Sequence, residues 1–309
     1  MIVDLLLVLA GLGFLVLGGD MLVKGAVNLS LRLGLTPLVV GLTVVAFGTS
    51  APELMVSLSA ALKGSSDIAI GNVVGSNIAN ILLILGTTAV VSGIPTRGHD
   101  LRESWGMMIG ATVLVMALSF MGLIGRVQGM ILLAALGVVL WRQLTEGQNE
   151  SQPEELEGVE PGARWLKILL WLAVGIIGLP LGANLLVIGA SDIARVFGIS
   201  EAVIGLTLVA IGTSLPEMAA SVASALRGRA DMALGNVVGS NLFNLLAILG
   251  ITSLVQPLPV PEQILNLDMW VMLGSSLLLG PFLFRGIALS RSVGVVLLGL
   301  YSVYLWALF

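Results

Sequence analysis

Apolar residues fill this chain in long runs rather than in the alternating or 3.6-residue patterns of a soluble domain. The runs divide as residues 2–30, 35–62, 67–92, 104–122, 127–145, 163–194, 199–226, 231–254, 267–284 and 290–308. A helix that crosses a bilayer needs about 20 predominantly apolar residues, so the pattern predicts an all-α membrane protein of ten transmembrane helices. One segment interrupts it: residues 146–162, EGQNESQPEELEGVEPG, with six glutamates and two prolines. This reads as a solvated acidic linker between a first five-helix unit, 1–145, and a second, 163–309. The first apolar run lacks a basic flank and a small-residue cleavage site, so it reads as a retained spanning helix rather than a signal peptide.

Basic residues set the orientation, because cytoplasmic loops accumulate Lys and Arg. With the N-terminus outside, one side of the membrane holds eleven: Lys24, Arg32, Arg97, Arg102, Arg142, Arg164, Lys167, Arg227, Arg229, Arg285 and Arg291. The other side holds three, Lys63, Arg126 and Arg195. Both termini are therefore expected outside the cytoplasm and the linker within it. The cell's inner (plasma) membrane is the expected location.

The two halves repeat. Residues 41–86 realign without a gap onto 205–250 at an offset of 164, with 28 of 46 positions identical. The match extends weakly upstream, where GGDMLVKGA at 18–26 resembles GANLLVIGA at 182–190. Five is an odd number of spans, so the second copy must lie upside down relative to the first. Inverted repeats of this kind build transporters with a site near the midplane, formed by interrupted helices. Spans 2, 3, 7 and 8 are expected to be the broken ones.

Composition agrees and narrows the chemistry. The chain is 57% hydrophobic and 10% charged, with a mean hydropathy of +1.06, against roughly 45–50% apolar and 25% charged in soluble domains. No cysteine and one histidine, His99, exclude thiolate and imidazole metal centres. Metal chemistry here must use oxygen ligands, and nothing in the chain suggests a resident cofactor or a nucleic-acid partner.

Two motifs carry those oxygens. GTSxPE occurs at Gly48–Glu53 and again at Gly212–Glu217, in mid-span. A carboxylate at the bilayer centre costs about 2.5–3.5 kcal/mol even on gentle scales, and proline removes a backbone hydrogen bond. Pro52 and Pro216 release carbonyls of the preceding turn, which can coordinate a cation. The second motif, GNVVGSNxxN, places Asn72, Ser76 and Asn80 on one helix face, and Asn236, Ser240 and Asn244 on another. Such hard oxygens suit sodium and calcium, and two facing copies suffice for the 6–8 oxygens of a calcium shell. The plain alternatives are a buried carboxyl satisfied by hydrogen bonds for Glu53 and Glu217, and interhelical hydrogen bonding for the Ser and Asn residues. Asn72, Asn77, Asn236 and Asn241 are left out of the ligand set for that reason. Asp20 is expected to pair with Lys24, Asp192 with Arg195 or solvent, and Asp67 and Asp231 to cap helices.

The paired motifs resemble the alpha repeats of the cation/calcium exchanger superfamily, most closely its prokaryotic sodium/calcium exchangers, and the likeness runs along essentially the whole chain. The resemblance implies calcium held by Glu53 and Glu217 with the carbonyls of Thr49 and Thr213. It implies sodium sites at Ser50, Ser76, Ser214 and Ser240 with the carbonyls of Ala46 and Ala210, and Asn80 and Asn244 completing the centre. It further implies that spans 1 and 6 slide across the other eight, for which Gly11, Gly13, Gly18 and Gly19, and Gly175, Gly178, Gly182 and Gly189, are suited. Some relatives carry Asp where this chain has Asn244. Two central carboxylates remain, so one calcium neutralises the site and three sodium ions would leave one positive charge in excess. The linker is too short for the regulatory domains of larger relatives.

Exchange of sodium for calcium by a protein working as a monomer in the lipid bilayer is therefore the leading expectation. A calcium (or other divalent cation)/proton antiporter is the alternative. A channel fits less well with an occluded midplane site, and an enzyme lacks any nucleophile–base pattern or HExxH.

Overall fold

Helices dominate because the apolar runs leave the backbone no other way to satisfy its N–H and C=O groups away from water. The computed structural model describes residues 2–96, 101–146, 160, 163–198 and 210–308. Its helices are α1 (Ile2–Leu33), α2 (Pro37–Thr49), α3 (Ala51–Leu62), α4 (Ser66–Ser92), α5 (Arg102–Ser119) and α6 (Arg126–Glu146). They continue with α7 (Trp165–Val196), α8 (Ala210–Thr213), α9 (Leu215–Leu226), α10 (Ala230–Val255), α11 (Ile264–Arg285) and α12 (Arg291–Ala307). Among the described residues six helices are long and apolar enough to cross a membrane, and seven if the bent pair α2 and α3 counts as one span.

Burial separates centre from periphery. In the most apolar stretch of α10, 89% of residues are buried, and 72% in α4, against 22% in α1 and 17% in α6. Apolar helices exposed to this degree are compatible only with lipid around them. Exposed Trp141, Trp165, Trp270 and Trp306 sit near helix ends, where indoles favour the membrane–water boundary.

α1 and α7 pack backbone to backbone and antiparallel. Gly189 meets Asp4, Gly182 meets Gly11, Leu179 meets Gly18 and Leu172 meets Gly25. The glycines of the seam recur every seven residues, Gly11, Gly18 and Gly25 against Gly175, Gly182 and Gly189. Gly25 belongs to this seam although the sequence did not single it out. Gly13, expected in the sliding contact, has no neighbour within 4 Å among the described residues and lies on the outer face. Gly19 faces Ala219 and Ala223 of α9 instead.

α2 and α10 run parallel, with Leu38 against Gly235 and Leu42 against Gly239. Two short loop pairings tie the bundle: β1 (Leu123–Ile124) lies antiparallel to β2 (Leu258–Pro259), and Ile94 bridges Leu289.

α2 ends at Thr49 and α3 restarts at Ala51 with a 44° bend. Pro52 lies in the first turn of α3, where its missing N–H has no intrahelical role. α8 and α9 meet in the same way around Ser214, with Pro216 in the first turn of α9. The first half of that span, residues 199–209, lies outside the described residues, as does most of the acidic linker. In α4 and α10 the expected breaks are not interruptions. Each helix continues through one π turn, Asn80–Ile84 and Phe243–Ile248. GNVVGSNxxN contains no proline, and a π turn absorbs one extra residue while keeping the helix continuous.

Candidate functional site

The bend at Ser50 places Glu53 in the first turn of α3, and the break at Ser214 places Glu217 in the first turn of α9. There the positive end of each helix dipole favours a negative group. Both side chains are only 1% exposed. Ser50 donates its hydroxyl to Glu217 Oε1 at 3.0 Å, a bond between repeats that holds the second carboxylate beside the first bend.

Each glutamate is anchored through its backbone by an asparagine one helix away. Asn72 Nδ2 donates to the Glu53 carbonyl at 3.2 Å and to Ser57 Oγ at 2.9 Å. Asn236 Nδ2 donates to the Glu217 carbonyl at 3.2 Å and to Ser221 Oγ at 2.9 Å. The duplication in sequence has become a duplication of geometry. Asn236 Oδ1 also accepts from Thr49 Oγ1 at 3.3 Å, tying the end of α2 to α10. These asparagines position the carboxylates, a role that the sequence left open; their spacing of 19 residues after each glutamate was the available signal.

Asn80 and Asn244 lie at the π turns, both 1% exposed. Asn80 Nδ2 donates to Asn241 Oδ1 at 2.9 Å, again across the repeats. Ser76 and Ser240 are 7% and 0% exposed. Ser214, in the break, is 2% exposed. Thr49 and Thr213 end the helices that precede the breaks, and Ala46 and Ala210 open the last turn before them. The Ala46 carbonyl already accepts the Ser50 N–H at 3.0 Å and the Thr49 hydroxyl at 3.3 Å. A cation there must share it. In the second copy the Ser214 N–H turns to the Ile211 carbonyl at 3.0 Å instead.

Eleven buried polar side-chain atoms have no hydrogen-bond partner among the described residues; five lie on expected ligands, Glu53 Oε2, Glu217 Oε2, Asn80 Oδ1, Asn244 Oδ1 and Ser240 Oγ, and the others are Asn77 Oδ1, Asn244 Nδ2, Ser119 Oγ, Gln143 Nε2, Arg229 Nε and Thr252 Oγ1. An unpaired buried oxygen costs about 1–3 kcal/mol, more when charged. The five on the motif residues are oxygens of the kind that a partly dehydrated hard cation would satisfy. Among the described residues no three His, Cys, Asp or Glu side chains converge, so charge compensation rests on two carboxylates. These five atoms are oxygens, which suit sodium and calcium rather than soft metals.

Asp20, Asp192 and Asp231 are held in ion pairs. Asp20 is 3.8 Å from Lys24, as expected, but its stronger partner is Arg227 at the end of α9, whose Nε donates to Oδ1 at 2.7 Å. Asp192 pairs with Arg195 at 2.6 Å. Asp231 caps nothing: it pairs with Arg229 at 2.9 Å. No side-chain cap forms at the start of α4 beside Asp67 either. In both helices the residue at the capping position precedes the aspartate.

The model of the sodium/calcium exchanger protein family matches residues 3–145 and residues 167–309. The sodium/calcium exchanger MaX1 of Methanosarcina acetivorans is 34% identical over 347 residues, covering 99% of this chain and 99% of its own length. The inner membrane protein YrbG of Escherichia coli is 36% identical over 318 residues, covering 98% and 96%. The solved structure of the sodium-calcium exchanger NCX_Mj, soaked with zero Na+ and Ca2+, superposes with a TM-score of 0.87 at 33% identity, covering 100% of this chain and 99% of that one. The helical membrane fold is shared with that exchanger, and the chain belongs to the sodium/calcium exchanger family.

Proposed function

We propose that this protein exchanges sodium for calcium across the cell's inner (plasma) membrane by alternating access, as a secondary active transporter and not an enzyme. One observation carries the proposal: buried oxygens without a hydrogen-bond partner fall on Glu53, Glu217, Asn80, Asn244 and Ser240, all within the two repeated motifs. A cation that is bound, occluded and released has every use for them. Calcium is held by Glu53 and Glu217 with the Thr49 and Thr213 carbonyls. Sodium uses Ser50, Ser76, Ser214, Ser240 and the carbonyls of Ala46 and Ala210, with Asn80 and Asn244 at the centre.

The spans number ten, in two inverted repeats, 1–145 and 163–309, with the acidic linker 146–162 in the cytoplasm and both termini outside. Several features support this. The two family matches are related by the sequence offset, since 3 + 164 = 167 and 145 + 164 = 309. The repeat mates α1 and α7 pack antiparallel, as inversion requires. Eleven basic residues on one side against three on the other give the orientation. Neither a resident cofactor nor a second subunit is needed for the chemistry.

The test is calcium uptake into proteoliposomes under an imposed sodium gradient, compared with an imposed proton gradient of equal size. Uptake driven by sodium and not by protons is expected. Uptake driven by protons alone would make the protein a calcium/proton antiporter, and flux without any counter-ion would make it a channel.

A further inference from the structure

A cavity of about 260 Å³ adjoins the ion site. Its lining includes Asn72, Ser76 and Ser214 together with Asp268, Tyr301 and Tyr304, where α11 begins and α12 ends. On this measure one water needs only about 10–15 Å³, so the space admits a cation with part of its hydration shell.

Asp268 is a carboxylate that the repeats do not explain. It is 7% exposed, inside the apolar helix α11. Its Oδ1 accepts a hydrogen bond from Tyr304 Oη at 2.9 Å, and no basic side chain pairs with it among the described residues. A carboxylate placed in a spanning segment without a cationic partner is costly and marks an ion pathway more often than a structural contact. At the offset of 164 its counterpart is Ser104, and that of Tyr304 is Leu140. The feature therefore exists at one face only.

We propose that Asp268 is a cation site in the passage between that face and the transport site, where it recruits sodium or calcium before transfer to Ser76 and Ser214. Tyr304 holds the carboxylate by one oxygen and leaves the other for the cation. A fixed negative charge in a narrow, low-dielectric passage raises the local cation concentration. This proposal rests on the exchanger reading above and adds to it a residue that affects one side of the membrane only.

The test uses the full-length protein in right-side-out and in inverted vesicles. Asp268→Asn is expected to raise the apparent KM for calcium about threefold to tenfold at the face where α12 ends, by loss of the focusing charge. Vmax and the KM at the opposite face should stay unchanged. No change at either face, or an equal change at both, would overturn the proposal; a purely structural role would lower Vmax and thermal stability instead. Should Asp268→Asn not insert, Asp268→Cys in this cysteine-free chain can be modified after insertion. A sulfonate-bearing methanethiosulfonate should restore the low KM and a trimethylammonium-bearing one should not, whereas identical effects of the two would refute the site. A parent without exchange would refute the exchanger reading. Slower thiol modification in the presence of calcium or sodium would then still support the site, and an unchanged rate would refute it.

Discussion

Gly175→Ala puts one methyl group into the seam between α1 and α7. A Cβ at that position falls 2.6 Å from Leu22 Cβ, 2.8 Å from Leu22 Cα and 2.8 Å from Leu22 N. Ordinary carbon contacts lie at about 3.5–4.0 Å, and two of these three atoms are backbone, so no rotamer change relieves the clash. The helices must separate by roughly 1 Å, which opens the neighbouring contacts at Gly182 and Gly11. Overpacking of this kind costs about 1–3 kcal/mol, and a domain of 150–250 residues loses roughly 2–4 °C per kcal/mol. A fall in Tm of about 2–12 °C is expected, together with slower exchange, since the α1–α7 seam is disturbed as a whole. Gly13→Ala is the control, because nothing lies within 4 Å of its added methyl among the described residues. The assay is thermal unfolding in detergent followed by calcium uptake in vesicles. If Gly175→Ala and Gly13→Ala behave alike in both measurements, the close backbone packing of the seam is refuted.

Asn236→Ala should lower stability by about 1–3 kcal/mol, read by thermal unfolding, because it strips hydrogen bonds from the Glu217 carbonyl and Ser221 in a fully buried setting. Asn72→Ala should cost less, since Asn72 is only partly buried, and both should weaken calcium uptake at limiting calcium. Asn244→Asp adds a third titratable group to the carboxylate pair, so exchange in the variant should begin to fail at a higher pH than in the parent; an active variant with the parental pH profile would place residue 244 outside the ion site. Single cysteines at Ser151 and Gln263 should be labelled by impermeant reagents from opposite faces, and labelling from the same face would contradict the inverted repeat.

Hydropathy made the helices legible, and an ungapped offset made the duplication legible, because both are properties of composition and order. The candidate ligand positions stood out for a related reason: Glu, Pro, Ser and Asn in mid-span are costly. What the residues did not reveal were contacts between segments distant in sequence. The bond from Ser50 to Glu217, the partner Arg227 of Asp20 and the close contact of Gly25 with α7 all depend on how helices meet. Gly13 misled for the same reason, since a glycine's type does not tell which face of its helix it occupies. The π turns at Asn80 and Asn244 were read as breaks because a polar motif in an apolar run signals irregular backbone without saying of which kind. Asp268 was overlooked because a single carboxylate one turn inside a span reads as belonging to the membrane surface.

Direct calcium binding to the purified protein, measured by equilibrium dialysis and competed with sodium, addresses the ion site itself. The parent should bind calcium and release it as sodium is raised. Glu53→Gln and Glu217→Gln should each abolish binding while remaining folded, because neutral amides cannot compensate a divalent charge. Calcium binding retained by either variant, or insensitive to sodium in the parent, would contradict a shared site built from one glutamate of each repeat.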